Sequence, residues 1–161
     1  MTHPPDPARE RLEMLLASEA NTMALGRALG GLLGPGDVVL LTGELGAGKT
    51  VFARGLARGL GVDNAYAIVS PTFTLLNVYP GRVDFFHADL YRLDAEAAAE
   101  LEMLEEAAGG VLAVEWPEMA GEVWPEEALR VSLAPEGEVS RWARMTGPAR
   151  ILDRLRRAFN P

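Results

Sequence analysis

Two short stretches, Asp37 to Thr42 and Val111 to Val114, are almost unbroken in apolar residues. Strands read this way when helices cover both faces of a parallel sheet. Ahead of the first, Met23, Leu25, Ala28, Leu29 and Leu32 recur at helical spacing between Glu19 and Leu33. Ser18 is placed to cap that helix, and Gly34-Pro35-Gly36 ends it. Thr50 to Leu60 predicts a second helix, stopped by Gly61. Leu75 to Tyr79 and Val83 to His87 predict strands on either side of the turn Pro80-Gly81-Arg82. Asp94 is placed to cap a helix from Ala95 to Ala108, closed by Gly109-Gly110.

The last third changes rhythm. Leu129, Val131 and Leu133 alternate with Arg130, Ser132 and Ala134, the pattern of a half-buried strand. Residues 139–145 can pair back on it across the turn from Pro135 to Glu138. Pro148 suits the first position of a final helix whose apolar face is Ile151, Leu152, Leu155 and Phe159. At the other end, residues 1–7 carry three prolines and predict a loose tail, and residues 8–17 a short helix or more tail. The expectation is one α/β domain over residues 18–161: three layers, with a central mixed, mostly parallel sheet flanked by helices and a C-terminal hairpin and helix.

Between the first buried strand and the second helix lies GELGAGKT, Gly43 to Thr50. The spacing G-x-x-x-x-G-K-T in a strand–loop–helix context is the P-loop pattern of nucleoside triphosphate sites. Gly43, Gly46 and Gly48 free the backbone to wrap phosphate, and Glu44, Leu45, Ala47 and Val51 complete the wrapping segment. The following helix turns its positive end to the same anion. Lys49 would reach the terminal phosphates and Thr50 would set a hydroxyl on Mg²⁺. Lys49 is also the only lysine, beside fourteen arginines. That excludes the lysine-containing motif with which GTPases read guanine.

Such a loop needs carboxylates for the cation and the attacking water. Asp89 and Glu115 each follow an apolar run, where ligands sit in open α/β sheets. Either could hold Mg²⁺ or orient a water, and Glu44 is a further candidate for the water. Thr72 and Thr74, after Ser70-Pro71, could sense the γ-phosphate as a switch segment does. His87 is a structural hydrogen-bonding candidate, His3 lies in the tail, and Trp116 could stack on a base, on a partner or in the core.

In order, SEANTMALGRALGGLL, GELGAGKT, SPTFTLLNVY, HADLYRL and VEWPE cover roughly residues 18 to 120. The set resembles the TsaE (YjeE-like) family, small P-loop ATPases of bacterial tRNA threonylcarbamoyladenosine biosynthesis. The resemblance implies the P-loop NTPase fold, with ATP and Mg²⁺ as cofactors. Lys49 and Thr50 then take the phosphate and metal roles, and Asp89 and Glu115 are the two acids near the metal. Ser70 to Thr74 is a switch-like loop, Trp116 stands beside the nucleotide, and Tyr91 and Arg92 belong to the DLYR element. The family's loop commonly has Asp at the position of Glu44. The implied partners are a TsaD-like transferase, which attaches the threonylcarbamoyl group to adenosine 37 of tRNA, and its TsaB-like paralogue. tRNA would be reached through that complex, and ATP hydrolysis would support multiple turnover. A small-molecule or nucleoside kinase and a nucleotide-gated binding module remain alternatives.

Composition narrows this further. The net charge is −8, so autonomous binding to a nucleic-acid backbone is not expected. Six arginines between Arg141 and Arg157 run against that trend and suit tRNA phosphate, an acidic partner or a solvated helix face. With no cysteine, disulfides and thiolate chemistry are excluded, which fits a cytoplasmic protein. No stretch approaches the roughly 20 apolar residues of a membrane helix, and no membrane association is expected.

Overall fold

The structure is a computed structural model that describes residues 9–71, 74–99 and 102–161. Seven strands form one sheet: β1 (Arg9–Leu16), β2 (Val38–Thr42), β3 (Leu76–Tyr79), β4 (Phe85–Asp89), β5 (Val111–Glu115), β6 (Leu129–Glu136) and β7 (Ser140–Pro148). Their spatial order is β1-β7-β6-β2-β5-β4-β3. β6, β2, β5 and β4 run parallel, and β3, β7 and β1 extend the sheet by antiparallel pairing. Because β1 and β7 are both reversed in turn, five of the seven strands point one way, giving the mixed, mostly parallel sheet.

The buried strands sort their side chains by parity. Val39 and Leu41 of β2 face one layer, made by α1 (Glu19–Gly30), α2 (Lys49–Gly59) and α5 (Ala149–Ala158). Leu25, Leu29, Phe52, Leu56, Ile151 and Leu155 fill that side. Val38 and Leu40 face the other, smaller layer, made by α3 (Ala95–Ala99), α4 (Met103–Glu106) and a 3₁₀ turn at Pro117–Ala120. The result is the three-layer α/β arrangement of a P-loop NTPase-like fold.

α1 and α2 approach through glycine. A Cβ on Gly55 would stand 2.3 Å from the Met23 carbonyl oxygen, and one on Gly59 2.2 Å from that of Arg27. Gly26 and Gly30 face α2 as closely, at 2.4 Å from Phe52 O and Leu56 O. Four glycines thus let two backbones meet where side chains would hold them apart. This seats the helix that follows the glycine loop.

Three expectations need correction. Residues 9–16 form a strand, not a helix or tail. Leu12, Leu15 and Leu16 suit helical spacing, but Leu12, Met14 and Leu16 face the core with period two once all eight residues pair with β7. Residues 1–8 lie outside the described residues. The single helix from Ala95 to Ala108 is instead α3 and α4, with Glu102 away from helical geometry at φ −92° and ψ 30°. Among the described residues of this run, Ala98, Met103 and Ala107 are buried against the sheet. Residues 100–101 lie outside the described residues. Lastly, Pro148 ends β7 and precedes α5, instead of opening that helix. No helix among the described residues is long and apolar enough to cross a membrane.

Candidate functional site

β2, β4 and β5 end at one edge of the sheet, and the glycine loop bends from β2 into α2 there. Gly43, Gly46 and Gly48 have φ of 148°, 78° and 102°, a region that disfavours side chains. Gly43 is also sterically required, since a Cβ there would stand 2.5 Å from Leu133 O. Gly48 precedes α2 without a side-chain cap, so the first N–H groups of the helix are left to other acceptors.

Asp89 and Glu115 are register partners, each the last residue of its parallel strand. Two hydroxyls and a histidine hold them. Thr50 Oγ1 lies 3.1 Å and 3.3 Å from the two Glu115 oxygens. Ser70 Oγ lies 2.8 Å from Asp89 Oδ2, 3.1 Å from Glu115 Oε2 and 3.4 Å from Thr50 Oγ1. His87 Nε2 is 2.7 Å from Glu115 Oε2. The Tyr91 backbone N–H donates to Asp89 Oδ1 at 2.9 Å. These oxygens are hard donors of the kind divalent cations prefer. Among the described residues no three His, Cys, Asp or Glu gather in a way that would hold a metal unaided.

Burial pushes the Glu115 carboxyl up, but the His87 hydrogen bond and charge, with the Ser70 and Thr50 hydroxyls, outweigh it and leave it below its ordinary range. Lys49 shows the reverse balance. Burial lowers its ammonium below the ordinary value, and the charges of Glu115, Glu118 and Asp89 only partly restore it. Its Nζ donates to the carbonyls of Gly43 and of Glu44, the latter at 2.9 Å. It also lies 4.2 Å from the centre of the Trp116 ring. Trp116 adopts the left-handed conformation at φ 59° and packs on Tyr91 with ring centres 4.8 Å apart.

Beside this cluster, a cleft of about 480 Å³ is lined by Ser18, Thr22, the glycine loop, Trp116 and the β6–β7 hairpin. Arg141 of β7 reaches in, its Nε donating to Ala47 O at 3.0 Å and its Nη2 to Gly46 O at 3.1 Å.

The family model for threonylcarbamoyl adenosine biosynthesis protein TsaE matches residues 16–143. The chain belongs to the TsaE family. A tRNA threonylcarbamoyladenosine biosynthesis protein TsaE of Nostoc is 40 % identical over 140 residues, spanning 83 % of this chain and 85 % of the relative. Its Treponema pallidum counterpart is 44 % identical over 118 residues, spanning 72 % and 86 %. The crystal structure of YdiB from Bacillus subtilis superposes with a TM-score of 0.77 at 30 % identity, covering 94 % of this chain and 98 % of that one.

In this TsaE-family chain, Lys49, Thr50, Asp89, Glu115 and Trp116 come together. Glu44 does not join them through its carboxylate: its side chain is exposed, and its carbonyl meets Lys49. Leu45 is exposed, Val51 half-buried, and both line the cleft. Thr74 donates to Asn77 Oδ1 at 2.8 Å, while Thr72 lies outside the described residues. Sequence reasoning gave His87 a structural hydrogen-bonding role, which its contact with Glu115 bears out, without naming that partner, and it missed the direct contacts of Ser70 and Arg141. Two of these carried a signal. His87 is a lone polar residue sharing strand parity with Phe85, and Arg141 an arginine sharing parity with Ala143 and Met145, so both sit on faces that should be apolar.

Proposed function

We propose that this chain is a Mg²⁺-dependent ATPase subunit working in the cytoplasm with a TsaD-like transferase and a TsaB-like paralogue. It would hydrolyse ATP to ADP and phosphate so that the complex can turn over repeatedly as it attaches threonylcarbamoyl to adenosine 37 of tRNA, with tRNA held by the complex. One observation carries the reading in a TsaE-family chain: Thr50, at the start of the helix behind GELGAGKT, is hydrogen-bonded to Glu115, and Ser70 ties that carboxylate to Asp89.

The residues fit both cofactors. Gly43 to Val51 would wrap the phosphates, and Lys49 would exchange the carbonyls of Gly43 and Glu44 for phosphate oxygens. Thr50, Glu115 and Asp89 would hold Mg²⁺. Mg²⁺ suits a site with one or two carboxylates, because phosphate and water complete its shell; when bound, it neutralises triphosphate charge. His87 keeps Glu115 ionised, as a cation ligand must be. Asp89, fixed through both oxygens yet part-exposed, is the better placed acid to orient water for in-line attack; Glu44 remains a second candidate. Trp116 and Thr72 would border the nucleotide.

The test is steady-state ATP hydrolysis with Mg²⁺ by the chain alone and with the transferase pair, beside Lys49→Ala. Stimulation by the pair that is lost in Lys49→Ala supports the proposal. Turnover only with a small phosphate acceptor would replace it with a kinase. Nucleotide-dependent binding to the pair without turnover would replace it with a binding module.

A further inference from the structure

β1 is the long open edge of the sheet. The opposite edge, β3, has four residues, whereas β1 runs for eight, Arg9 to Leu16, without proline, glycine or bulge. Pro148 has no N–H, so Arg9 opposite it is not in a pair that exchanges two hydrogen bonds. The alternation of an antiparallel ladder then turns the N–H and C=O of Arg9, Arg11, Glu13 and Leu15 outward, away from β7. The Arg11 carbonyl agrees, accepting from Arg156 Nη2 of α5 at 3.2 Å. Among the described residues no other hydrogen bond reaches this row of backbone groups. Such a row is a template for another strand.

The same parity sorts the side chains. Leu12, Met14 and Leu16 turn to the core, while Arg11, Glu13 and Leu15 stand exposed on the other face, Leu15 at 43 %. Glu13 pairs with Arg144 of β7, and the Arg11 guanidinium has no partner among the described residues.

This order of charges is self-complementary about one point. When two copies of the strand pair antiparallel, outward backbone groups must meet outward ones, so the two-fold axis passes through a residue of the strand. An axis at Arg11 or at Glu13 sets that residue against its own copy, like charge on like. Axes nearer either end leave fewer residues paired. An axis at Leu12 sets Arg11 against Glu13 of the second copy, and Glu13 against its Arg11. It also brings Leu12 onto Leu12 in a close, non-hydrogen-bonded pair and lays the stem of Arg9 beside Leu15. The Arg11 carbonyl can keep Arg156 on one lone pair and offer the other to the new strand.

We infer that β1 is a self-association edge: two copies of this chain pair β1 antiparallel across a two-fold axis at Leu12, joining their sheets into one, with Arg11 and Glu13 setting the register. The contact is isologous, each copy giving the same patch. Opposite charges directly across strands favour it, and like charges oppose it. A single strand pair is a small interface, so the dimer depends on concentration. No residue of β1 lines the nucleotide cleft, which pairing leaves open. The association is therefore independent of the ATP reading.

The experiment is analytical sedimentation of the full chain and its variants at low ionic strength, from micromolar to submillimolar concentration. Wild type forms a dimer as concentration rises. Arg11→Glu and Glu13→Arg each weaken it by about tenfold or more, because two attractive pairs become repulsive. Mixed in equal amounts, the two variants pair with each other, since each meets the charge its own copy lacks. In a chain without cysteine, Leu12→Cys crosslinks to its own copy on mild oxidation. The Cα atoms of that pair stand about 4.5 Å apart, within disulfide reach. Glu10→Cys does not crosslink, because its two copies lie roughly 13 Å apart along the edge. A wild type that stays monomeric throughout overturns the inference. So does a dimer that both charge variants leave intact, which would put the contact on another face. A mixture that fails to pair, or a crosslink no faster at Leu12 than at Glu10, overturns it as well.

Discussion

His87 Nε2 lies 2.7 Å from Glu115 Oε2, and both side chains are almost wholly buried. The histidine is the first reason that a carboxyl in such a place stays ionised. Its Nδ1 has no hydrogen-bond partner among the described residues, so the ring is committed to the acid.

Removing His87 should therefore be costly in a pH-dependent way. A carboxyl whose folded value lies below its ordinary 4.5 adds stability above that range and loses it as pH falls through the folded value. In His87→Ala burial wins and the carboxyl rises. We expect a loss of about 3 kcal/mol at pH 7, with the gap to wild type starting to narrow above 4.5, as pH falls through the variant's raised value, and narrowing further as pH falls through the wild type's lowered one. Urea unfolding of both proteins at pH 7 and pH 4 checks this; an unchanged gap would contradict the role given to the pair.

Lys49 should behave oppositely. Its ammonium is held below its ordinary 10.5 by burial. A base depressed in the folded state costs stability while it is protonated, and the cost fades as pH rises towards its unfolded value. Lys49→Met should then melt no lower than wild type without nucleotide at pH 7. Adding ATP and Mg²⁺ should raise the melting temperature of wild type and not of the variant.

The α1–α2 contact predicts a contrast between glycines. Gly59→Ala would push a methyl to 2.2 Å from the Arg27 carbonyl oxygen, while Gly109→Ala meets nothing within 4 Å. Overpacking of this kind costs about 3 kcal/mol, whereas the exposed site should change stability by under about 0.5 kcal/mol. Denaturant midpoints of the two variants would separate them. Equal midpoints would mean that the helices are not held at the distance seen.

Arg144 stands on the face of β7 opposite Arg141. It pairs with Glu13 across β1 and β7, but both side chains are about half exposed. Arg144→Ala should cost under about 1 kcal/mol and leave ATP hydrolysis at the wild-type rate. A large loss of hydrolysis in this variant, measured at matched ionic strength, would show that the open side of β7 also serves the reaction.

Much of the fold was legible because its signals are local. The run from Val38 to Leu41, the helical spacing of Leu25 and Leu29, and the alternation of Leu129, Val131 and Leu133 each reflect a period set by one element's own geometry. The same holds for Gly43 to Thr50. The glycines, Lys49 and Thr50 are close in sequence because they act within one turn of chain. Asp89 and Glu115 were legible as strand ends, and the structure places them side by side.

The rest depends on partners far away along the chain. Residues 9–16 could be helix or strand until 141–148 supply the other half of their hydrogen bonds. Ser70 gains its place from Thr50, Asp89 and Glu115, three elements that meet only when β2, β4 and β5 end together. Arg141 reads as one more surface arginine until the β6–β7 pairing swings it onto the loop at Gly46 and Ala47. Sequence alone thus determined most of the elements from Glu19 onward and the phosphate-binding pattern, since periodicity and loop chemistry are short-range. Tertiary structure decided which hydroxyl, histidine and arginine complete the site, because a hydrogen bond between distant residues exists only after the sheet has brought them within reach.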